Sequence, residues 1–280
     1  MHLRVKLFTK MKNLAFLSVT LLLIISCVAP VRRHEGILLD SPHVEPNRPD
    51  SVLFSSSRIR IFKIDSASYF QGSGTRTQSQ DSFAYLENFN EVKQRLKGRV
   101  IFGTSRYLNG LSSVDTTADG TSLYSVRFLN GDSLTFREKP EFMEIGFVRY
   151  YPTEEILVFE GGHASDYAVD LRNGLVGPEL VGNPSYIVNS PSKKFRLNGW
   201  FPGQECSSYF IQRKIKTDYQ KYEDIPLHLT EENFELCTII DSRWSSDSTL
   251  FFRNTYFDGF KDPRSGFFKL VILDSEDHPK

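Results

Sequence analysis

Three times in its second half the chain runs a short polar turn into an apolar strand, and this recurrence constrains the fold more than any other feature. Pro152-Thr153-Glu154-Glu155 precedes Ile156-Leu157-Val158-Phe159, Pro191-Ser192-Lys193-Lys194 precedes Phe195-Arg196-Leu197, and Ser246-Asp247-Ser248-Thr249 precedes Leu250-Phe251-Phe252. After a loop each unit gains a second strand, at 167–171, 208–212 and 267–272. The turns begin 39 and 55 residues apart, so the second interval carries an insertion between Arg213 and Glu235. Units this short cannot bury their own apolar faces and must stack on their neighbours.

The remaining pattern is also β. Residues 57–64 alternate with period two and predict a strand, while 71–80 are rich in Gly, Ser, Thr and Gln and predict a loop. Residues 124–129 and 132–137 flank Asn130-Gly131, which predicts a hairpin closed by a type I′ turn. One helix is expected over 82–97. Phe83, Leu86, Phe89, Val92 and Leu96 recur at helical spacing, Asp81 or Ser82 offers a cap, and Lys93, Arg95 and Lys97 precede Gly98.

The third unit, Ser242-Arg243-Trp244-Ser245-Ser246-Asp247-Ser248 ahead of Thr249-Leu250-Phe251-Phe252, is similar to the Trp-Ser-Pro-Asp-Gly turn and following strand of TolB-type and WD40-like propeller blades. The resemblance covers residues 145–273 and implies a mainly β fold with antiparallel sheets in a propeller-like arrangement. The glycine of the turn is missing, and the first half shows no clear blade. Three units fall short of the four or more that close a propeller. An irregular β sandwich or meander with the same strands is the alternative.

The amino-terminal segment is of a different kind. Arg4, Lys6, Lys10 and Lys12, with no acidic residue, precede an apolar run from Leu14 to Ile25, the length of a signal peptide and short for a membrane span. Met11-Lys12-Asn13 offers a second possible start to the same leader. The run ends in Ile24-Ile25-Ser26-Cys27, which resembles the lipobox of bacterial lipoproteins. That resemblance implies removal of residues 1–26 and acylation of Cys27, an anchor supplying about 0.8 kcal/mol per buried methylene. Residues 27–50 hold Pro30, Pro42, Pro46 and Pro49 without a strand or helix period and read as a tether, leaving a β-rich domain at 51–280. Val28-Ala29-Pro30-Val31-Arg32-Arg33 lacks the acidic tract that directs some lipoproteins to the cell surface, so the expected location is the cell envelope, facing the periplasm.

Charge narrows the partners. The full chain balances 34 basic against 34 acidic residues, and loss of the four basic residues of the leader leaves 30 against 34. Nucleic acid is therefore not an expected partner. The clusters Lys193-Lys194-Phe195-Arg196 and Arg213-Lys214-Ile215-Lys216 read as solvated strand ends.

Few groups suggest chemistry. Cys206 and Cys237 either form a disulfide in an oxidising compartment or stay as buried thiols, and no histidine or third cysteine stands at metal-ligand spacing around them. Gly161-Gly162-His163-Ala164-Ser165-Asp166 groups a histidine, a serine and a carboxylate, but it falls where a hairpin turn is needed. Asp258-Gly259-Phe260-Lys261-Asp262 has too few oxygens for a calcium loop. Tyr150-Tyr151, Trp200-Phe201, Tyr209-Phe210, Phe251-Phe252 and Phe267-Phe268 place aromatics on both faces of strands, either packed between sheets or offering a stacking surface for sugars or peptides. Ser66, Thr116, Ser133 and Ser248 each follow an aspartate and precede a small or aliphatic residue, similar to the O-glycan acceptor sites of some Gram-negative envelope proteins. No cofactor or metal is expected. The function expected is a non-catalytic envelope lipoprotein binding a protein, peptide or glycan, with an envelope hydrolase or lyase using residues in propeller loops as the alternative.

Metabolic labelling tests both modifications. A labelled fatty acid should mark the wild-type protein and not Cys27→Ala, and a labelled sugar should mark the wild type and not a variant with all four acceptors removed. Absence of the lipid label from the wild type would end the lipoprotein reading.

Overall fold

The computed structural model describes residues 51–73, 82–108, 111–136, 145–162, 165–203, 206–229, 234–256, 259, 261–262 and 264–273, so the leader, Cys27 and the tether lie outside it. The described chain is mainly β, with several antiparallel sheets, one curled into a half-barrel, and three short α-helices. It enters at β1 (Ser51–Ser55) and β2 (Ile59–Ile64) and continues through α1 (Ser66–Ser73) and α2 (Phe89–Arg95). Strands β3 (Val100–Leu108), β4 (Leu111–Asp115), β5 (Ser122–Arg127) and β6 (Ser133–Thr135) form a first sheet in the order β4-β3-β5-β6. The second sheet is a meander of β7 (Gly146–Tyr151), β8 (Ile156–Glu160) and β9 (Asp166–Asp170). After α3 (Pro178–Val181), the strands β10 (Val188–Asn189), β11 (Phe195–Trp200), β12 (Ser208–Ile215) and β13 (Asp218–Ile225) form the third. The small pair β14 (His228–Leu229) and β15 (Phe234–Glu235) leads into β16 (Thr238–Ser246), β17 (Thr249–Thr255) and β18 (Gly266–Ile272) of the fourth. Its order is β1-β2-β18-β17-β16, so strands from the two ends of the described chain lie side by side, Ile61 opposite Leu270.

The three polar turns each join two consecutive, paired strands of a different sheet. Tyr151 pairs with Ile156 across residues 152–155, Ser190 donates its N–H to Phe195 across 191–194, and Ser246 pairs with Thr249 across 247–248. The third turn is thus two residues tighter than the others.

Several local expectations are corrected. The helix expected over 82–97 is confined to Phe89–Arg95, with Asn88 as its cap accepting the Glu91 N–H at 3.2 Å. Leu86 instead exchanges backbone hydrogen bonds with Tyr150 at 2.8 and 2.9 Å, because pairing with β7 outweighs one more helical turn. Gln71, Gly72 and Ser73 are not loop but the end of α1, whose start Asp65 caps by accepting the Ser68 N–H at 2.6 Å. Gly72 is needed there, since a Cβ would lie 2.4 Å from the Phe251 ring. The hairpin expected at 124–137 forms between Ser122–Arg127 and Ser133–Thr135, with residue 137 outside the described residues, but only Gly131 takes a positive φ (96°) in its turn, so the turn is not type I′. Asn130 uses its side chain instead, Oδ1 accepting the Asp132 N–H at 3.0 Å. The first half holds a full sheet, and the insertion after Arg213 contributes β13, the fourth strand of sheet three.

Two large apolar cores result, with two smaller clusters beside them. Phe102, Leu123, Tyr150, Leu157 and Phe159 of sheets one and two close over Val92 of α2 and Leu96 at its C-cap, while Phe195, Leu197 and Ile211 of sheet three meet Leu250, Phe252 and Phe268 of sheet four. Each such buried side chain contributes about 1.5–3 kcal/mol.

Cys206, between β11 and β12, is bonded to Cys237, just before β16, so the bridge ties sheet three to the entry of sheet four. The separation of 31 residues gives about 3–4 kcal/mol in the chain-entropy model. Cys206→Ser/Cys237→Ser should lose about that much in urea unfolding, and a loss below about 1 kcal/mol would show that the bridge does not restrain the unfolded chain.

Candidate functional site

Both faces of β11 are buried from Phe195 to Gly199, and only one of them is apolar. Alternation along β11 sends Phe195 and Leu197 into the core shared with sheet four and Arg196 and Asn198 the other way, toward the 152–155 turn and α3. Arg196 is 3% exposed. Its Nη1 donates to Glu154 Oε2 at 2.7 Å, its Nε donates to Gln212 Oε1 at 2.6 Å, and its guanidinium lies 3.8 Å from the centroid of the Tyr219 ring. Asn198 Nδ2 donates to the same Gln212 oxygen and to the Val181 carbonyl, both at 3.0 Å. Burial pulls the Arg196 pKa below its ordinary value, while Glu154 pulls it back up.

The rim is equally committed. Arg172 Nη2 donates to the Thr153 carbonyl at 3.1 Å and its Nη1 lies 3.4 Å from Asp218 Oδ1. Asp170 accepts the backbone N–H groups of Arg172 and Asn173 at 2.7 and 3.1 Å, and the Asn173 amide at 3.0 Å. Burial raises its pKa, and those donors oppose the rise. The recess enclosed by Glu154, Asp170, Arg172, Arg196, Gln212 and Tyr219 has about 10 Å³ of free volume, the space of one water. It is a clamp between sheets, with no room for an organic substrate.

Neighbouring sheets are stitched in the same manner at the other turns. Both Arg99 terminal nitrogens donate to Glu155 Oε2 at 3.1 Å, linking the start of β3 to the 152–155 turn. Asp247 Oδ1 accepts the Ser192 N–H at 2.9 Å, linking the 247–248 and 191–194 turns.

The residues singled out from sequence take the following places. Within the glycine-flanked segment, Ser165 Oγ donates to the Gly162 carbonyl at 3.2 Å, as a turn requires, and His163 and Ala164 lie outside the described residues. Asp166 faces away from that serine. It accepts from Asn183 Nδ2 at 3.0 Å and the Phe201 N–H at 2.8 Å, and burial raises its pKa. Asp262 is held by Arg264, whose Nε and Nη2 donate to its two oxygens at 2.9 and 2.7 Å and keep its pKa down at about 2; Asp258 lies outside the described residues. No metal-ligand cluster occurs among the described residues.

Of the aromatic pairs, Tyr150-Tyr151, Tyr209-Phe210 and Phe251-Phe252 are buried on both faces, so they pack rather than present a stacking surface. Ser66, Thr116, Ser133 and Ser248 are all exposed. The reading of 193–196 as a solvated cluster is corrected at Arg196, which the turn from another sheet covers. Sequence reasoning also missed Gln212, Asn198 and Tyr219; the available signal was a run of polar residues at alternate strand positions opposite a full apolar face.

No family model matches this chain, and no curated protein matches its sequence.

The clamp makes an unequal prediction. Arg196→Met should cost about 3–5 kcal/mol in chemical denaturation, because it leaves the largely covered Glu154 carboxylate without its cation. Glu154→Gln/Arg196→Met should recover part of that loss, and equal costs for the two proteins would mean that the ion pair is not coupled.

Proposed function

We propose that the protein is a lipid-anchored component of the bacterial cell envelope, facing the periplasm, whose β domain is a rigid, non-catalytic body that binds a protein, peptide or glycan. The lipobox-like Ile24-Ile25-Ser26-Cys27 supports the anchor, and the leader ahead of it supports export. Among the described residues no helix is long and apolar enough to cross a membrane.

The observation that carries the binding reading is the far half of the β3–β4 hairpin. β3 pairs with β5 only over Val100–Gly103, whereas its second half, from Thr104, pairs with β4 alone. On that two-stranded arm Tyr107 is 74% exposed, the most exposed large apolar side chain described. An isolated hairpin gains little from folding alone, and a wet aromatic on it gains most by being covered. The Arg106–Asp115 ion pair, at 2.6 Å, steadies the arm.

A propeller-like arrangement of the sheets is the finer reading of the architecture. It is supported by the equivalent turns at 152–155, 191–194 and 247–248, by the polar links between them, and by the addition of β2 to β18, which joins the two ends of the described chain in one sheet. The exposure of the four Asp-Ser and Asp-Thr positions supports their reading as glycan acceptors.

Cross-linking followed by co-purification of the acylated chain from envelopes tests the binding function. A partner should be recovered with the wild type and lost with Tyr107→Ala, while the variant keeps its unfolding midpoint. Identical partners with both proteins would sink the assignment to this arm.

A further inference from the structure

We propose that the open edge of β3 along the β3–β4 arm takes an added strand, an extended peptide segment of a protein partner with an acidic residue between two apolar ones. The proposal rests on the reading of this arm as a binding site and names the chemistry of its occupant. Leu108 and Leu111 pair across only two intervening residues, which makes them a hydrogen-bonded pair. The ladder alternates from there, so Arg106 with Ser113 and Thr104 with Asp115 are bonded pairs as well. The N–H and C=O groups of Ser105 and Tyr107 therefore point away from β4, into the line that β5 follows beside the first half of β3.

Beyond Gly103 that line is open. β5 begins opposite it at Ser122, and the chain just ahead of β5 crosses there: the Asp119 carbonyl accepts the Thr104 hydroxyl at 2.8 Å, and a Cβ on Gly120 would stand 2.5 Å from Thr104 Cα. Ser105, Arg106 and Tyr107 are exposed, and no described residue bonds to the Ser105 or Tyr107 backbone from that side. Other edges are guarded. Arg58 Nη1 donates to the Tyr222 carbonyl of β13, β9 is covered by the Val169–Val176 bridge and by the Gly177 N–H on the Ala168 carbonyl, and β1 is bulged between Val52 and Phe54. Such devices keep an edge from pairing with another chain, and β3 from Ser105 onward has none of them.

The groups on this edge define what fits it. Donors and acceptors at strand spacing are matched by another extended backbone, so the occupant is polypeptide. Residues directly opposite in an antiparallel pair share a face, and an apolar side chain opposite Tyr107 covers the ring that is now 74% exposed. Arg106, on the other face, reaches Asp115 through Nη2 while its side chain stays 60% exposed, so it can take a second carboxylate from the strand. A second copy of the arm fits worse, because antiparallel pairing of Ser105 with Tyr107 would set Arg106 opposite Arg106.

The test titrates the whole chain, purified in detergent, into a fluorescently labelled peptide, Thr-Val-Glu-Val-Thr with blocked ends, and follows anisotropy. The peptide should bind saturably, and its Thr-Val-Lys-Val-Thr counterpart more weakly. Methylating the two valine nitrogens, which would face β3, should abolish binding, whereas methylating the glutamate nitrogen should not. Ser105→Pro, which removes one outward N–H and is tolerated on an edge, should weaken binding about ten-fold. Ser112→Pro, whose N–H points to the opposite edge of the arm, should leave it unchanged. No binding, equal effects of the two methylations, or equal effects of the two proline variants would overturn the added strand. So would a dimer in sedimentation that Ser105→Pro dissolves, since the occupant would then be a second copy. The two readings of the arm can fail separately. A cross-linked partner lost with Tyr107→Ala but kept with Ser105→Pro would leave the arm as the binding site and overturn the edge mode. Partners unchanged by Tyr107→Ala, with the peptide still adding to the edge, would overturn the assignment of the partner to the arm and support the edge chemistry.

Discussion

The ion pair between Arg196 and Glu154 is the constraint on which the packing of the second and third sheets depends. A guanidinium 3% exposed is tolerated only because Glu154, Gln212 and the Tyr219 ring replace the water it has lost. Elsewhere sheets meet through Phe, Leu and Ile, which tolerate small slips between layers. Here the partners are directional, and a slip of an ångström would strand a buried charge. The apolar interfaces supply most of the free energy, and this polar one fixes the register between two sheets.

The same economy of polar groups bears on function. Asp166, Asp170, Asp262 and Arg196 are among the groups that burial or close pairing sets apart, and each is already engaged by partners in turns or between sheets. Their perturbed proton affinities follow from structural work. What faces solvent is of another type: Tyr107, the aromatic on the β3–β4 arm, which offers a surface for contact.

Legibility from sequence followed the range of the forces involved. The turn-to-strand units and strands β2, β5 and β6 could be read directly, because period-two alternation and turn chemistry are local. The helix at 82–97 was overextended because Leu86 satisfies a helical period and a strand pairing equally well, and only β7, some sixty residues on, decides between them. Strand β13 was hidden for a related reason. Its charged residues give it the composition of a loop, and it becomes a strand because β12 offers an edge to pair with.

By itself the sequence determined the β class, the sites of the three turns, the apolar leader ending at Cys27 and the presence of just two further cysteines, all of which depend on neighbours within a few positions. Tertiary structure decided which sheets those strands join, that Cys206 and Cys237 meet, and that Arg196 is buried while Lys193, three residues away, is exposed. The physical reason is the same in each case. Alternation fixes the two faces of a strand, but whether a face meets water, lipid, a hydrocarbon core or a carboxylate is set by residues distant in the chain, and these are brought near only by folding.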